Sequence, residues 1–302
     1  MTPDDHNTDT LSGLRLGIVG LGLMGGSLAL ALRGRVASVL AVERRPDVRQ
    51  SALRQGIVDA AVEELTGDTP PVDLLVPAVP TRVILDTLVR LPALQPEGCA
   101  VLDLGSTKRA VVAAMDALPP TFAALGGHPM CGKETAGLAS ATADLFHGQT
   151  FVLCPSRRAS PALWATALAL VAAVGARPVV LDAAEHDRLV AAVSHLPALV
   201  AAALMRVASD EQQWAVSASG FRDTSRLAGS DPRMMLDILL TNREAILDAL
   251  AACENELATV REALARGDVA ALAEWLAEAQ VSHAAYRRYK SGEYLFPPQT
   301  HP

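Results

Sequence analysis

The chain is poor in aromatic residues and in lysine. Its 302 residues include only 3 Trp, 3 Tyr and 5 Phe, and its only lysines are Lys108, Lys133 and Lys290. Lys+Arg (26) fall below Asp+Glu (33), which gives a net charge of −7. Nucleic-acid binding needs a basic face and often stacking aromatics, so we expect no nucleic-acid partner. Because 50% of the residues are apolar, global disorder is excluded as well.

Disulfide, metal and export signals are also missing. The four cysteines show neither a CxxC pair nor close, even spacing: Cys99, Cys131, Cys154 and Cys253. We interpret them as reduced thiols and expect no zinc site and no other bound metal. The polar start MTPDDHNTDT is not a secretory signal, so we expect a cytoplasmic protein. Residues 159–176 and 189–205 carry no Asp, Glu, Lys or Arg, but both contain proline and much alanine. We therefore expect buried helices there and no membrane association.

Secondary-structure patterns divide the chain at about Asp182. Up to that residue, short apolar runs alternate with helical patterns, which predicts a parallel sheet with helices on its faces. Beyond it, every pattern is helical. We predict an α/β domain over residues 14–182, an all-helical domain over 183–295, a disordered tail over 1–13 and a second tail over 296–302.

A glycine motif predicts a dinucleotide site in the first domain. Gly20, Gly22 and Gly25 fit G-x-G-x-x-G between an apolar strand and a helix, and Glu43 follows the next strand. Such glycines allow a tight turn and a close approach to a pyrophosphate, while the acid binds ribose hydroxyls. This arrangement is that of a Rossmann-type domain and favours NAD, although the arginines after Glu43 leave NADP open. The expected cofactor residues are Gly20, Gly22, Leu23, Met24, Gly25, Glu43, Arg44, Val79, Pro80 and Ser106.

Two polar segments follow later strands of the predicted sheet. DLGSTK contains Asp103, Ser106 and Lys108. GGHPMCGKE contains His128 and ends with Lys133 and Glu134. Ligands of such sheets bind beyond the carboxyl ends of the strands, so both segments should face the cofactor. A histidine in a loop near neutral pKa suits proton transfer. For Ser106 two roles stay open, a bond to His128 or substrate and an N-cap for the next helix.

The helical half carries its own polar candidates. His195 interrupts an apolar helix in the sequence SHLP, where it is either a structural residue with a polar partner or a substrate ligand. Arg222 and Arg226 share a face if they lie on one helix, and guanidinium groups bind carboxylates through paired hydrogen bonds. The alternative for this segment is a solvated charged helix.

Together these segments resemble the prephenate dehydrogenase family, which includes arogenate and cyclohexadienyl dehydrogenases. The resemblance rests on GLGLMGGSLA, DLGSTK, GGHPMCGKE, SHLP and GFRDTSRLAGSDP in this order, and it covers nearly the whole chain. It implies NAD-dependent oxidative decarboxylation of prephenate to 4-hydroxyphenylpyruvate, on the route to tyrosine. It also implies a helical dimerisation domain and hence a homodimer.

The resemblance assigns roles residue by residue. His128 looks like the acceptor of the ring-hydroxyl proton, with Ser106 as its hydrogen-bond partner, and Arg226 looks like the ligand of a substrate carboxylate. His195 is similar to a substrate-site histidine of the family. Glu134, Arg222 and Asp223 fall where charged residues of the family shape the entrance, and the resemblance leaves open whether Asp223 comes from the other subunit. Lys133 is a further substrate-site candidate.

Two departures and two alternatives remain open. The family often has SHLPH, but Ala198 stands at the last position. Many relatives carry an additional regulatory domain; we expect none here, so tyrosine is expected to act only by competing at the site. Arogenate is the alternative substrate. Another two-domain hydroxyacid dehydrogenase is the alternative enzyme, although such enzymes use a lysine in the helical domain and residues 183–289 contain none. A dinucleotide-binding protein without catalysis is the third hypothesis.

Overall fold

One eight-stranded sheet organises the first part of the chain. The computed structural model describes residues 9–133 and 135–291. The strands are β1 Arg15–Val19, β2 Ser38–Val42, β3 Ala60–Val62, β4 Leu74–Pro77, β5 Ala100–Leu102, β6 Ala123–Pro129, β7 Thr150–Pro155 and β8 Arg177–Val180. Their order in the sheet is β3-β2-β1-β4-β5-β6-β7-β8. Because the order reverses beside β1, the crevice for a ligand is expected between β1 and β4.

Helices connect the strands and then make up the rest of the described chain. They are α1 Asp9–Ser12, α2 Leu23–Leu32, α3 Pro46–Arg54, α4 Thr81–Leu94, α5 Arg109–Asp116, α6 Pro161–Ala173, α7 Ala183–Val190, α8 Leu196–Val207, α9 Glu211–Ala215, α10 Ser219–Ser225, α11 Pro232–Thr241, α12 Arg243–Arg266 and α13 Val269–Lys290. The predicted change from alternating elements to helices alone after about residue 182 is confirmed.

The sheet differs from the prediction in two strands. β3 was not predicted, because its three residues, Ala60–Val62, are exposed or only partly buried and give a weak apolar signal. β7 pairs antiparallel with β6, whereas the other pairs are parallel. Strand direction is not encoded in a short apolar run, so the sequence pattern could not reveal this reversal. Pro77 is the last residue of β4, which removes the conflict between proline and a central strand.

Apolar side chains cover both faces of the sheet. On one face, α2 and α6 pack against the strands through residues such as Leu28 and Leu170. On the other face, α4 and α5 do so through Ile84, Leu88 and Met115. Burial on both faces explains why the strands are continuous apolar runs rather than alternating ones. This rigid double-sided core fixes the positions of the loops at the sheet's carboxyl edge.

The two compact units of the chain do not coincide with the two predicted domains. The chain divides into two compact units, residues 1–246 and residues 247–302, so α7 to α11 form one unit with the sheet. The boundary predicted at 182/183 thus marks a change of secondary structure within the first unit. The predicted tail over residues 1–13 is also too long, because α1 is helical and its Leu11 is buried with the core around α6. Residues 1–8 and 296–302 of the predicted tails lie outside the described residues.

The segment around SHLP is a helix that widens instead of breaking. Between α7 and α8, residues Ala191–His195 form a π-helical turn. Pro197 follows in the first turn of α8 and has no N–H to donate to the preceding turn, which accounts for the local widening. Ala183–Val207 is the single helix in the described ranges that is long and apolar enough to cross a membrane. Only 28% of its apolar window is buried, so the prediction of a buried helix holds for one face alone.

A glycine before β5 gives a direct test of the fold. Gly98 has φ +81, and a Cβ there would lie 2.1 Å from the carbonyl oxygen of Thr121. We expect Gly98→Ala to lower the free energy of unfolding by at least about 2 kcal/mol, because strain and clash add. Gly67→Ala is the matched control, since its Cβ would meet nothing within 4 Å. Guanidinium unfolding measures both, and equal stability of the two variants would contradict the described turn.

Candidate active site

The glycine motif forms a turn that only glycine can make. Gly20 follows β1 with φ +92, and a Cβ on Gly25 would lie 2.0 Å from the carbonyl oxygen of Gly20. A Cβ on Gly22 would instead point into open space, with nothing within 4 Å. The first two features hold α2 close to β1, while the third leaves room for a phosphate at the helix N-terminus. The turn therefore fits a dinucleotide.

Glu43 lies where a ribose-binding acid is expected, at the end of β2. Its carboxylate is buried and accepts four hydrogen bonds, from the N–H groups of Leu21 (2.9 Å) and Arg45 (3.0 Å) and from Arg45 Nε (2.9 Å) and Nη2 (3.1 Å). Burial raises the pKa of Glu43, but the hydrogen bonds and charge of Arg45 and the Leu21 N–H lower it more, so the net shift is downward. Glu43 is therefore ionised at neutral pH.

A cleft of about 360 Å³ opens beside these two features. Six of the predicted cofactor residues line it: Gly20, Gly22, Glu43, Arg44, Val79 and Pro80. Leu23 and Met24 begin α2 and are partly buried against the core, and Gly25 lies beneath the turn. Ser106 is not in the wall of this cleft. The cleft lies at the carboxyl ends of β1, β2 and β4, as expected for the adenosine half of a dinucleotide site.

His128 lies in a strand rather than in the predicted loop. It is the sixth residue of β6 and pairs with Val152 of the antiparallel β7. Gly127 precedes it because a Cβ there would lie 2.5 Å from the carbonyl oxygen of Asp103. The sheet therefore fixes the backbone of His128, and its side chain stays partly exposed at the edge where the cofactor turn lies.

The imidazole of His128 bonds to a second histidine that the sequence did not single out. His128 Nδ1 lies 2.8 Å from His186 Nε2, and His186 Nδ1 lies 2.8 Å from Asp187 Oδ1. Burial lowers the pKa of His128 well below its usual value, and electrostatic interactions with His186, Lys108 and His195 lower it further, because each of these groups disfavours a second positive charge nearby. His128 is therefore neutral at pH 7 and able to accept a proton.

Beneath His128 lies a buried ion pair. Lys108 and Asp103 are both inaccessible to solvent, and Lys108 Nζ donates to Asp103 Oδ2. Asp103 also accepts from the N–H groups of Gly105 (2.8 Å) and Gly127 (3.0 Å). The sequence predicts that the DLGSTK segment faces the cofactor, but the side chains of its Asp103 and Lys108 are buried within the protein. They hold the β5–α5 loop to the β-strand that carries His128. Removing either partner would leave the other as an unpaired charge in the interior, which is strongly destabilising.

His195 is buried at the end of the π turn and has the polar partner that its burial requires. Asn242 Nδ2 donates to the carbonyl oxygen of Asp187 (2.7 Å) and lies 3.2 Å from His195 Nδ1. Because the amide nitrogen can only donate, His195 Nδ1 accepts and its proton lies on Nε2. Burial lowers the pKa of His195 to about 4, although the charge of Asp187 opposes the shift. His195 is thus a neutral donor within the same network as His128.

Ser106 follows β5, but its predicted contacts differ. Within the described ranges no hydrogen bond joins Ser106 to His128, whose Nδ1 partner is His186. The N-cap role is also wrong, because Lys108 is the residue that precedes α5 and no side chain caps the helix from within this segment. Asp187 instead accepts from the N–H groups of Lys108 (2.7 Å) and of Arg109 (2.9 Å), the first residue of α5. The hydroxyl of Ser106 stays partly exposed, and its contact with a substrate remains a prediction.

The predicted entrance residues are exposed and scattered over two segments. Lys133 Nζ donates to Ser140 O (3.1 Å) and Thr142 Oγ1 (3.0 Å), which fastens the loop after β6. Arg222 pairs with Asp223 at 2.9 Å on the surface of α10. Arg226 begins a 3₁₀ turn just after α10, so the two arginines do not share one regular helix. Glu134 lies outside the described residues.

Two family models match the chain over most of its length. Residues 27–180 match "Prephenate dehydrogenase, nucleotide-binding domain", and residues 182–278 match "Prephenate dehydrogenase, dimerization domain". The chain belongs to the prephenate dehydrogenase family. The resemblance, the α/β-plus-helical fold class and the prediction of an NAD-dependent dehydrogenase are confirmed. The alternatives of another hydroxyacid dehydrogenase family and of a plain dinucleotide-binding protein are set aside.

Individual relatives agree with the family. A prephenate dehydrogenase of Bacillus subtilis is 31% identical over 243 residues, which are 76% of this chain and 65% of that protein. The crystal structure of A. aeolicus prephenate dehydrogenase with hydroxyphenyl propionate and NAD+ superposes with a TM-score of 0.81 at 28% identity, over 91% of this chain and 99% of that one. Synechocystis arogenate dehydrogenase gives a TM-score of 0.77 at 29% identity, over 90% and 100%.

The open space at Gly22 yields a test of the cofactor site. We expect Gly22→Ala to keep the thermal midpoint of the protein, because its Cβ meets no protein atom. The same methyl group would occupy the space next to the pyrophosphate and raise the Kd for NAD at least about tenfold. Thermal unfolding and fluorescence titration measure the two quantities, and Gly13→Ala, whose Cβ also meets nothing, is the control. Unchanged NAD affinity would contradict the assignment of this turn.

The buried His195 yields a test in pH. Its pKa of about 4 lies below the unfolded value of about 6.5, so in this range the unfolded chain binds a proton that the folded protein does not. Stability contributed by neutral His195 is present above pH 6.5 and is lost as the pH falls. Between pH 6.5 and 5 we expect His195 to contribute a loss of about 2 kcal/mol. His128, whose pKa is also lowered, loses stability over the same range in both proteins, so the total loss should be smaller by about 2 kcal/mol in His195→Gln. Guanidinium unfolding at pH 7 and pH 5 measures it, and equal losses in both proteins would contradict the expectation.

Proposed function

We propose that this chain catalyses the NAD-dependent oxidative decarboxylation of prephenate to 4-hydroxyphenylpyruvate, in the synthesis of tyrosine. The observation that supports the proposal is the neutral, partly exposed imidazole of His128, fixed on a strand at the same sheet edge as the dinucleotide turn. We further propose a working division into a cofactor domain over 14–182 and a substrate and dimerisation domain over 183–295.

His128 acts as the base. It removes the proton from the ring hydroxyl and, after decarboxylation, returns it to the oxygen of the new phenol. When bound, NAD+ supplies the hydride acceptor for the ring carbon that bears this hydroxyl. Prephenate and NAD+ thus give 4-hydroxyphenylpyruvate, CO2 and NADH without net release of a proton. Aromatisation of the ring drives the loss of CO2.

The cofactor residues bind NAD through the turn and through Glu43. All four hydrogen bonds to the Glu43 carboxylate come from protein donors, two of them from the Arg45 side chain. That side chain is 53% exposed, so a ribose hydroxyl can replace one of its bonds at small cost. Glu43 would also repel a 2′-phosphate, which favours NAD over NADP.

The dianionic substrate requires local cations in a protein of net charge −7. Arg226 binds a carboxylate of prephenate, and Arg222, Asp223, Lys133 and Glu134 shape the entrance. His195 donates from Nε2 to the substrate, and Ser106 bonds to the hydroxyl that His128 deprotonates. Tyrosine competes at this same site as an inhibitor.

Arogenate is the second candidate substrate, because it differs from prephenate by an amino group in place of the keto group. The Synechocystis structure, which is an arogenate dehydrogenase, is similar to this chain to nearly the same degree as the A. aeolicus prephenate dehydrogenase, with TM-scores of 0.77 and 0.81. At the position where the family often has a second histidine, Ala198 is buried in α8. Values of kcat/KM for both substrates with both cofactors decide between the four combinations.

A homodimer in the cytoplasm is the proposed assembly and location. The region matched to the dimerisation domain exposes several apolar side chains in the single chain, including Val193, Val200 and Val207. Apolar residues at such exposure are typical of a surface that a second subunit covers.

His128→Asn tests the catalytic assignment. We expect kcat for NAD reduction with prephenate to fall about 10²- to 10⁴-fold, because the base is lost, while the Kd for NAD changes less than about twofold. His147→Asn is the matched control, since that histidine is exposed. Equal loss of turnover and NAD binding would make His128 structural, and absence of NADH formation by the wild-type protein with either substrate would refute the proposal.

Glu43→Ser tests cofactor choice. The change removes a negative charge and frees Arg45 to bind a 2′-phosphate, so we expect the ratio of kcat/KM for NADP to that for NAD to rise at least about tenfold. Glu63→Ser is the control, because Glu63 also lines the cleft but pairs with Arg49. An unchanged ratio would remove Glu43 from cofactor selection.

A further inference from the structure

A hydrogen-bonded chain runs from the proposed base into the protein interior. His128 Nδ1 meets His186 Nε2 at 2.8 Å, and His186 Nδ1 meets Asp187 Oδ1 at 2.8 Å. His186 is inaccessible to solvent, and Asp187 is 2% exposed. The two rings meet edge to face, with centroids 5.1 Å apart and planes at 69°. Both residues therefore lie behind the proposed base, away from solvent.

For a neutral His186, the direction of both hydrogen bonds in this chain follows from Asp187. Its Oδ1 accepts from the N–H of Lys108 at 2.7 Å, and its Oδ2 accepts from the N–H of Arg109 at 2.9 Å. Backbone N–H groups can only donate, so both oxygens of this carboxyl group act as acceptors. His186 Nδ1 must then carry a proton and donate it to Oδ1. In neutral His186 the other nitrogen, Nε2, is an acceptor.

The same logic reaches His128. Since His186 Nε2 accepts, the proton of neutral His128 lies on Nδ1, and the lone pair of its Nε2 is free for a substrate. The opposite tautomer would carry a proton on Nε2 and could not take one from a hydroxyl. When His128 gains a proton at Nε2, its Nδ1–H already points along the chain towards the carboxylate of Asp187, which stabilises the new positive charge.

Other ionisable groups around His128 leave this assignment intact. Lys108 approaches from the β5–α5 loop, but its ammonium group donates to Asp103. His195, from the π turn, has its Nδ1 occupied by Asn242. Asp187 is thus the only carboxylate that the described residues place in hydrogen-bonding contact with the His186 ring.

We propose that His186 and Asp187 are positioning residues, which hold His128 in the tautomer protonated on Nδ1 and so make its Nε2 the base. The catalytic part of this inference rests on the proposed function of His128. The tautomer itself does not, and can be measured without substrate.

The first experiment reads the tautomer directly. In protein labelled with ¹⁵N-histidine at pH 7.5, the His128 signals, identified by their absence in His128→Asn, should show a protonated Nδ1 and an unprotonated Nε2. In His186→Leu, which removes the acceptor, this pattern should become a mixture of both tautomers. A wild-type His128 protonated on Nε2, or a pattern unchanged in His186→Leu, would overturn the proposal.

The second experiment separates positioning from folding. We expect His186→Leu to lower kcat about 10²- to 10⁴-fold with KM for prephenate and Kd for NAD within about threefold of wild type. His186→Gln should retain kcat within about tenfold, because its amide oxygen can accept from His128 and its NH₂ can donate to Asp187. Ser156→Ala is the control for loss of a buried hydrogen bond, the 2.6 Å bond to Ala124 O.

The outcomes distinguish this inference from the proposed function. If His186→Leu keeps kcat within about threefold, or if His186→Gln is as inactive as His186→Leu, the positioning role is wrong while His128 can still be the base. If wild-type protein turns over neither prephenate nor arogenate, the proposed function fails, and the ¹⁵N pattern alone then supports or overturns the tautomer assignment.

Discussion

The carboxylate of Asp187 joins the two halves of the chemistry. It accepts from the first N–H groups of α5, which follows the β5 loop, and from His186, which contacts His128 on β6. Its backbone carbonyl accepts from Asn242, which in turn holds His195. A single residue at the start of the helical region therefore sets the position of a sheet loop, a strand histidine and a π-turn histidine. Removing it would leave several buried donors without acceptors, each at a cost of about 1–3 kcal/mol.

Burial gives this network its chemical character. In a dry interior a histidine stays neutral, because its charged form loses more hydration than the protein returns. Both His128 and His195 have lowered pKa values for this reason. The Lys108–Asp103 pair is also buried, and each of its two groups has a hydrogen-bonding partner of opposite charge, as burial of such groups requires. The site thus combines a partly exposed imidazole, that of His128, and a buried one, that of His195, with a buried ion pair.

Local features of the sequence predicted the cofactor half well and the polar network poorly. Gly20, Gly22, Gly25 and Glu43 form one short motif whose geometry is fixed by backbone sterics, so spacing alone identified it. His128 and His186 are 58 residues apart, and their contact depends on how α7 packs against α5 and β7, which no local pattern encodes. The local sequence did not reveal the burial of Asp103 and Lys108 for the same reason. One feature of the sequence pointed to Lys108: the chain uses arginine almost everywhere, and Lys108 is one of only three lysines.

The reversal of β7 has a consequence for how this protein can vary. Because β6 and β7 are antiparallel, the connection between them leaves and re-enters the sheet at the same edge, the one that carries His128. The part of it around Leu138 and Ala141 packs on Gly26 of α2, directly beside the cofactor turn. A crossover between parallel strands must be long enough to return to the opposite edge of the sheet. The β6–β7 connection only has to join two neighbouring strand ends. The length and sequence of the β6–β7 connection can therefore change without disturbing the pairing of any strands. The segment beside the cofactor turn can thus vary independently of the sheet.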